Sequence, residues 1–155
     1  MAFVKLKVEA VALDWKGQPI VILREEGGQR AVFIWVGIAE AAAISMHLEE
    51  QRPARPMTHD LILMILSQVN AQVERVVITD VRAATYYAHL YLRDGDSCNP
   101  IDCRPSDAIA VALRASAPIY IDSDLLGRLD AERKESGVEL SPDATFVEPG
   151  GTIVH

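Results

Sequence analysis

Two short stretches combine residue types that could act on a phosphate ester: Arg55-Pro56-Met57-Thr58-His59-Asp60 and Arg104-Pro105-Ser106-Asp107. Each sets an arginine beside a helix start. Proline fixes the entry angle, the hydroxyl of Thr58 or Ser106 can cap a free backbone N–H, and an aspartate in the first turn meets the positive end of the helix dipole. The chemistry such residues offer is hydrolytic. A divalent cation, Mg2+ or Mn2+, held by Asp60, Asp102 and Asp107, with Glu40 as a further carboxylate, would lower the pKa of a bound water and polarise a phosphodiester. His59 would relay a proton, and Arg55 and Arg104 would grip phosphate oxygens in a fork. The same residues also make ordinary helix ends, where a cap contributes ~1 kcal/mol and a first-turn acid ~0.3 to 1 kcal/mol. A noncatalytic binding or regulatory module would need them for that alone.

The elements that must position these residues follow from periodicity. Val4, Leu6, Val8, Ala10 and Ala12 alternate with polar residues as in a half-buried strand. Ile20 to Leu23 and Ala31 to Val36 complete an antiparallel meander, and the segment from Ile38 to about Glu50 has Ala41, Ile44 and Leu48 at helical spacing. Thr58 begins a second helix in which Leu61, Ile62, Ile65, Leu66 and Val69 form a stripe expected to face the core. Val73 to Val81 and Thr85 to Arg93 read as a strand pair, and Asp94-Gly95 as the turn before a short strand at Ile101 to Cys103. Ser106 starts a third helix with Ile109, Ala112 and Leu113 on its inner face. Ile119 to Ile121 is a last strand, followed by a helical turn at Ser123 to Gly127. The expected fold is α+β: one compact domain over residues 1–128, with mainly antiparallel sheet and three main helices, then an acidic, loosely ordered tail over 129–155.

Composition narrows the class. A chain of 155 residues with half its residues hydrophobic suits one packed core. The formal net charge of −7 works against nonspecific attraction to nucleic acid, so a phosphate-bearing substrate would need local arginines or a bridging cation. Much of that charge lies in the tail, where six acids face Arg133 and Lys134. There is no signal-peptide pattern, and no apolar run approaches the ~18 residues of a membrane helix. Cys98 and Cys103 lack the spacing of a redox or zinc pair, which suits reduced thiols in a cytoplasm. Tyr86, Tyr87, Tyr91 and Tyr120 could stack bases, although aromatics on strands more often pack in cores and interfaces.

Three ordered motifs resemble the bifunctional nuclease domain, also called the DUF151 family: Trp35-Val36-Gly37 with Glu40-Ala41-Ala42-Ala43-Ile44, then Arg55 to Leu61, then Ile101-Asp102-Cys103-Arg104-Pro105-Ser106-Asp107-Ala108-Ile109-Ala110. Pro118-Ile119-Tyr120-Ile121 follows at the expected distance, so the likeness spans about residues 3 to 127. The resemblance implies a compact α+β fold, pairing into a homodimer, and nuclease activity on DNA and RNA. Glu40, His59, Asp60, Asp102, Arg104 and Asp107 fall on its motif positions.

Overall fold

A computed structural model describes residues 2–137 of the chain. The strands are β1 (Phe3–Leu13), β2 (Pro19–Glu25), β3 (Ala31–Trp35), β4 (Ala71–Arg82), β5 (Thr85–Asp94), β6 (Ser97–Cys103) and β7 (Ile119–Asp122). The helices are α1 (Ile38–Leu48), α2 (Thr58–Gln68), α3 (Pro105–Ala115) and α4 (Ser123–Ser136). The fold is therefore α+β, with one seven-stranded sheet in the order β3-β2-β1-β7-β4-β5-β6. Two antiparallel meanders, β1-β2-β3 and β4-β5-β6, meet at β7, which runs antiparallel to β1 and parallel to β4.

The short β7 strand can join them because both its neighbours bury the same side. Ile119 and Ile121 lie opposite Leu6 and Val4 on β1 and opposite Val76 and Ile78 on β4. Those isoleucines and valines share one core with Leu23, Ile44, Leu90 and Ile109. Helix α3 lies at its centre: Ala108 to Ala112 are all buried, and small side chains let α1, α2 and the sheet approach it from several directions. Pro105 occupies its first turn, where a missing N–H is harmless, so Arg104 becomes the N-cap and Ser106, expected as the cap, is buried inside the helix.

Helix α2 corrects two expectations. Thr58 makes no capping bond; instead Asp60 reaches back and accepts the Met57 N–H at 2.9 Å. Nor does the expected stripe of Leu61, Ile62, Ile65, Leu66 and Val69 face the core, apart from Leu66. The inner side is His59, buried, with Leu63 and Leu66 half-buried, while Leu61, Ile62, Met64 and Ile65 lie exposed. The uninterrupted apolar run from Leu61 to Leu66 offers no single stripe, so the sequence does not determine which side packs.

The helical turn expected at Ser123 to Gly127 runs on to Ser136, closed by Gly137 in the left-handed conformation. Leu125, Leu126 and Leu129 bury into the main core, and Asp130 accepts the Ala31 N–H at 3.1 Å. The expected loose tail thus begins as ordered helix, and its residues 138–155 lie outside those described. No helix among the described residues is long and apolar enough to cross a membrane.

Candidate functional site

The site is built where three segments converge: the first turn of α1, the first turn of α2 and the start of α3. Gly37, the N-cap of α1, has extended backbone and no side chain, which lets Glu40 fold back over it; a β-carbon at Gly37 would collide with Glu40 Oε2. Glu40 Oε1 accepts from Arg104 Nη2 at 2.8 Å. The same guanidinium donates to Asp107 Oδ2 through Nε at 2.8 Å. Asp107 Oδ1 lies 3.0 Å from His59 Nε2. Glu40, Arg104, Asp107 and His59, from chain positions as far as 67 apart, form one continuous polar cluster.

Its charges are graded by depth. His59 is buried, and the Asp107 side chain is about one-third exposed. Arg104 projects outward with 67% of its side chain in solvent. Burial pushes the Asp107 carboxyl up, but its bonds to His59 and Arg104 outweigh this and hold it below the usual carboxylate range. Asp107 and then Glu40 raise the already high pKa of Arg104. The cluster therefore presents a fixed guanidinium held by Asp107 and Glu40, with His59 behind Asp107.

Asp60 belongs to an adjoining structural network. Its Oδ1 accepts from Arg114 Nε at 2.8 Å. Arg114 also donates to the carbonyls of Ala110 and Ala43, each at 3.0 Å, tying α1, α2 and α3 together. Burial again pushes the Asp60 carboxyl up, while the Met57 N–H and Arg114 more than reverse the effect. Asp102 stands apart for a simpler reason. Its neighbour Cys103 faces the core, so strand alternation turns Asp102 to the opposite face, where it sits exposed beside His89 of β5. Arg55 is exposed in the α1–α2 connection and makes no ion pair among the described residues.

The four carboxylates expected to share a cation are thus distributed among three surroundings. Both oxygens of Asp60 are taken, Asp102 faces away, and the facing oxygens of Glu40 and Asp107 already hold a guanidinium. Among the described residues no group of three or more His, Cys, Asp or Glu side chains is arranged to hold a metal ion. The donors present suit an arginine and, through it, an anion; they do not fit Mg2+ or Mn2+ without displacing Arg104. Arg114 was missed by sequence reasoning, because it lies in the last turn of an alanine-rich helix and its carboxylate partner is 54 positions away.

The family model described as "Bifunctional nuclease domain" matches residues 21–134, which includes every member of the cluster. A Mycobacterium tuberculosis protein called "Uncharacterized protein Rv1829" is 38% identical over 113 residues, covering 73% of this chain and 67% of its own length. "Bifunctional nuclease 2" of Arabidopsis thaliana is 28% identical over 137 residues, covering 83% of this chain and 42% of that protein. "Bifunctional nuclease 1" of the same plant is 25% identical over 116 residues, covering 72% and 36%. The chain thus spans less than half the length of those two plant proteins. With three motifs in order and the family match extending over most of the sequence, this chain belongs to the bifunctional nuclease domain family.

Proposed function

We propose that the chain hydrolyses phosphodiester bonds in DNA and RNA at the Glu40–Arg104–Asp107–His59 cluster. The observation that carries this reading is Arg104. Its guanidinium is fixed from behind by two carboxylates, yet two-thirds of the side chain faces water, so its remaining N–H groups can take phosphate oxygens. Water attacks phosphorus, and the bond from phosphorus to the leaving sugar oxygen breaks. The water's proton passes to Asp107, shared with His59 across their 3.0 Å contact, and then to the departing oxygen. A carboxylate held below its usual pKa is a weak base, so the larger contribution comes from Arg104 stabilising charge on the phosphoryl oxygens. Such a preorganised donor is worth roughly 3 to 4 kcal/mol.

No step runs through Mg2+ or Mn2+, because either ion would have to replace Arg104 between Glu40 and Asp107. The free thiols of Cys98 and Cys103 support a reducing, cytoplasmic setting. The exposed apolar side of α2, with no ionisable residue after Asp60, supports pairing with a second copy, since contact there would bring no like charges of α2 into direct apposition.

The test compares Asp107→Asn with Asp102→Asn on single-stranded DNA and RNA, each assayed with EDTA and with added Mg2+ or Mn2+. The reading expects cleavage to fall in Asp107→Asn and persist in Asp102→Asn and in EDTA. Equal loss in both variants, or strict dependence on the metal, would contradict it. Absence of cleavage by the wild-type chain would favour the noncatalytic module.

A further inference from the structure

A cavity of about 550 Å³ opens beside Arg104, walled by Pro19, Trp35, Ile38, Thr85 and Ser106. Its size falls within the range of small-ligand sites, ~300 to 1,000 Å³. In a chain of net charge −7, its described lining carries the Arg104 guanidinium and no carboxylate side chain. Glu40 and Asp107 stand behind that guanidinium and offset its charge, so it is the outward, unused N–H groups of Arg104, not a net positive field, that suit an anionic ligand.

The apolar part is equally specific. Trp35 ends β3 with 43% of its surface exposed, and its Nε1 donates to Asp14 Oδ2 at 2.9 Å. The hydrogen bond restrains the ring, so little rotamer freedom remains to be lost when a flat group stacks on it. Ile38, 79% exposed at the first position of α1, adds apolar surface to the same wall. Polar side chains of Gln18 and Thr85 supply hydrogen-bonding groups without charge. In the β4–β5 turn, Ala84 holds φ at 63°, a conformation usually given to Asn or Gly, and contributes only a methyl group to the lining.

We propose that this cavity is a nucleotide subsite, in which Trp35 stacks the base of the nucleotide whose phosphate is held by Arg104. The proposal rests on Arg104 as the phosphate-holding group. It adds a residue that positions substrate through its base, outside the groups that handle the proton. Every nucleobase has a flat face, so one stacking indole accommodates many sequences and both sugar types; stacking contributes ~1 to 3 kcal/mol per base.

The experiment uses the Trp15→Phe chain, in which Trp35 is the only indole because the sequence has two tryptophans. Adenosine 5′-monophosphate and inorganic phosphate are titrated against Trp35 fluorescence, and calorimetry gives both affinities for Trp35→Leu and Ile38→Ser. The nucleotide should quench Trp35 saturably and bind more tightly than phosphate. Trp35→Leu should weaken the nucleotide on the order of tenfold while leaving phosphate unchanged. Ile38→Ser, at a highly exposed position, should weaken it in the same direction and serves if Trp35→Leu fails to fold. Equal affinity for nucleotide and phosphate, or nucleotide affinity unaltered in the folded variants, would overturn the subsite. Trp35-dependent nucleotide binding by a chain that cleaves nothing would leave the subsite standing and remove the nuclease reading. Cleavage with unchanged KM in the folded variants would do the reverse.

Discussion

Gly37 lies so close to Glu40 that a β-carbon on the glycine would collide with the carboxylate oxygen Oε2. Its φ of −71° and ψ of 161° are open to any residue, so Gly37→Ala should fold readily. By limiting the unfolded chain, alanine should leave stability unchanged or raise it by up to ~1 kcal/mol. Cleavage should nevertheless fall, because Glu40 must move and Arg104 loses one of its two supports. Thermal melting and initial rates on the same preparation would reveal this opposition; a parallel loss of both would contradict it.

Arg114→Met should act in the other direction. Arg114 is only 10% exposed in its side chain and satisfies Asp60 and two carbonyls. Removing it leaves those acceptors without their cation, at a cost of roughly 3 kcal/mol. Urea unfolding should show that loss, with turnover per folded molecule near wild type. Stability within error of wild type would mean that this three-helix tie contributes little.

Asp130 ties the C-terminal helix to β3, and its side chain is 6% exposed. Burial pushes its carboxyl up, but Lys134, the Ala31 N–H and Arg133 together lower it from the ordinary 3.8 to about 2. A depressed pKa stabilises the fold above the unfolded value and loses that contribution as pH falls through the folded one. Asp130→Asn should therefore cost about 2 kcal/mol at pH 7, with the deficit disappearing between about pH 4 and pH 2. Urea midpoints across that range measure it; a deficit independent of pH would refute the ion-pair origin.

These tests also indicate what could be read from the sequence. Strand alternation and the Pro105 helix start follow from short-range rules, so β1, α1 and α3 are legible, whereas the meeting of Glu40, His59 and Arg104 is not, because these residues lie on different elements. Asp102 shares a motif with Arg104 and Asp107 in the sequence, but the two-residue alternation of β6 places it beside His89, apart from them. α4 runs beyond the expected turn at Ser123 to Gly127, and Leu125, Leu126 and Leu129 on one helical face are its signal in the sequence. Two contacts, Arg114 with Asp60 and Arg104 with Glu40, join residues 54 and 64 positions apart and exist only once the sheet has placed the helices.

The outer side of α2 gives a prediction about assembly. Leu61, Met64 and Ile65 are each about half exposed, an arrangement suited to burial against a second copy. Ile65→Glu should convert a dimer into a folded monomer in sedimentation equilibrium. A wild-type chain that is monomeric at every concentration tested would exclude the pairing.

The central claim is that a solvent-facing guanidinium, clamped by two acids, stabilises the phosphoryl group during cleavage. Its most direct measurement is the single-turnover cleavage rate of Arg104→Ala against wild type on the same single-stranded substrate, with folding verified by circular dichroism. A fall of about a hundredfold or more is predicted. A folded variant that cuts at the wild-type rate would contradict it.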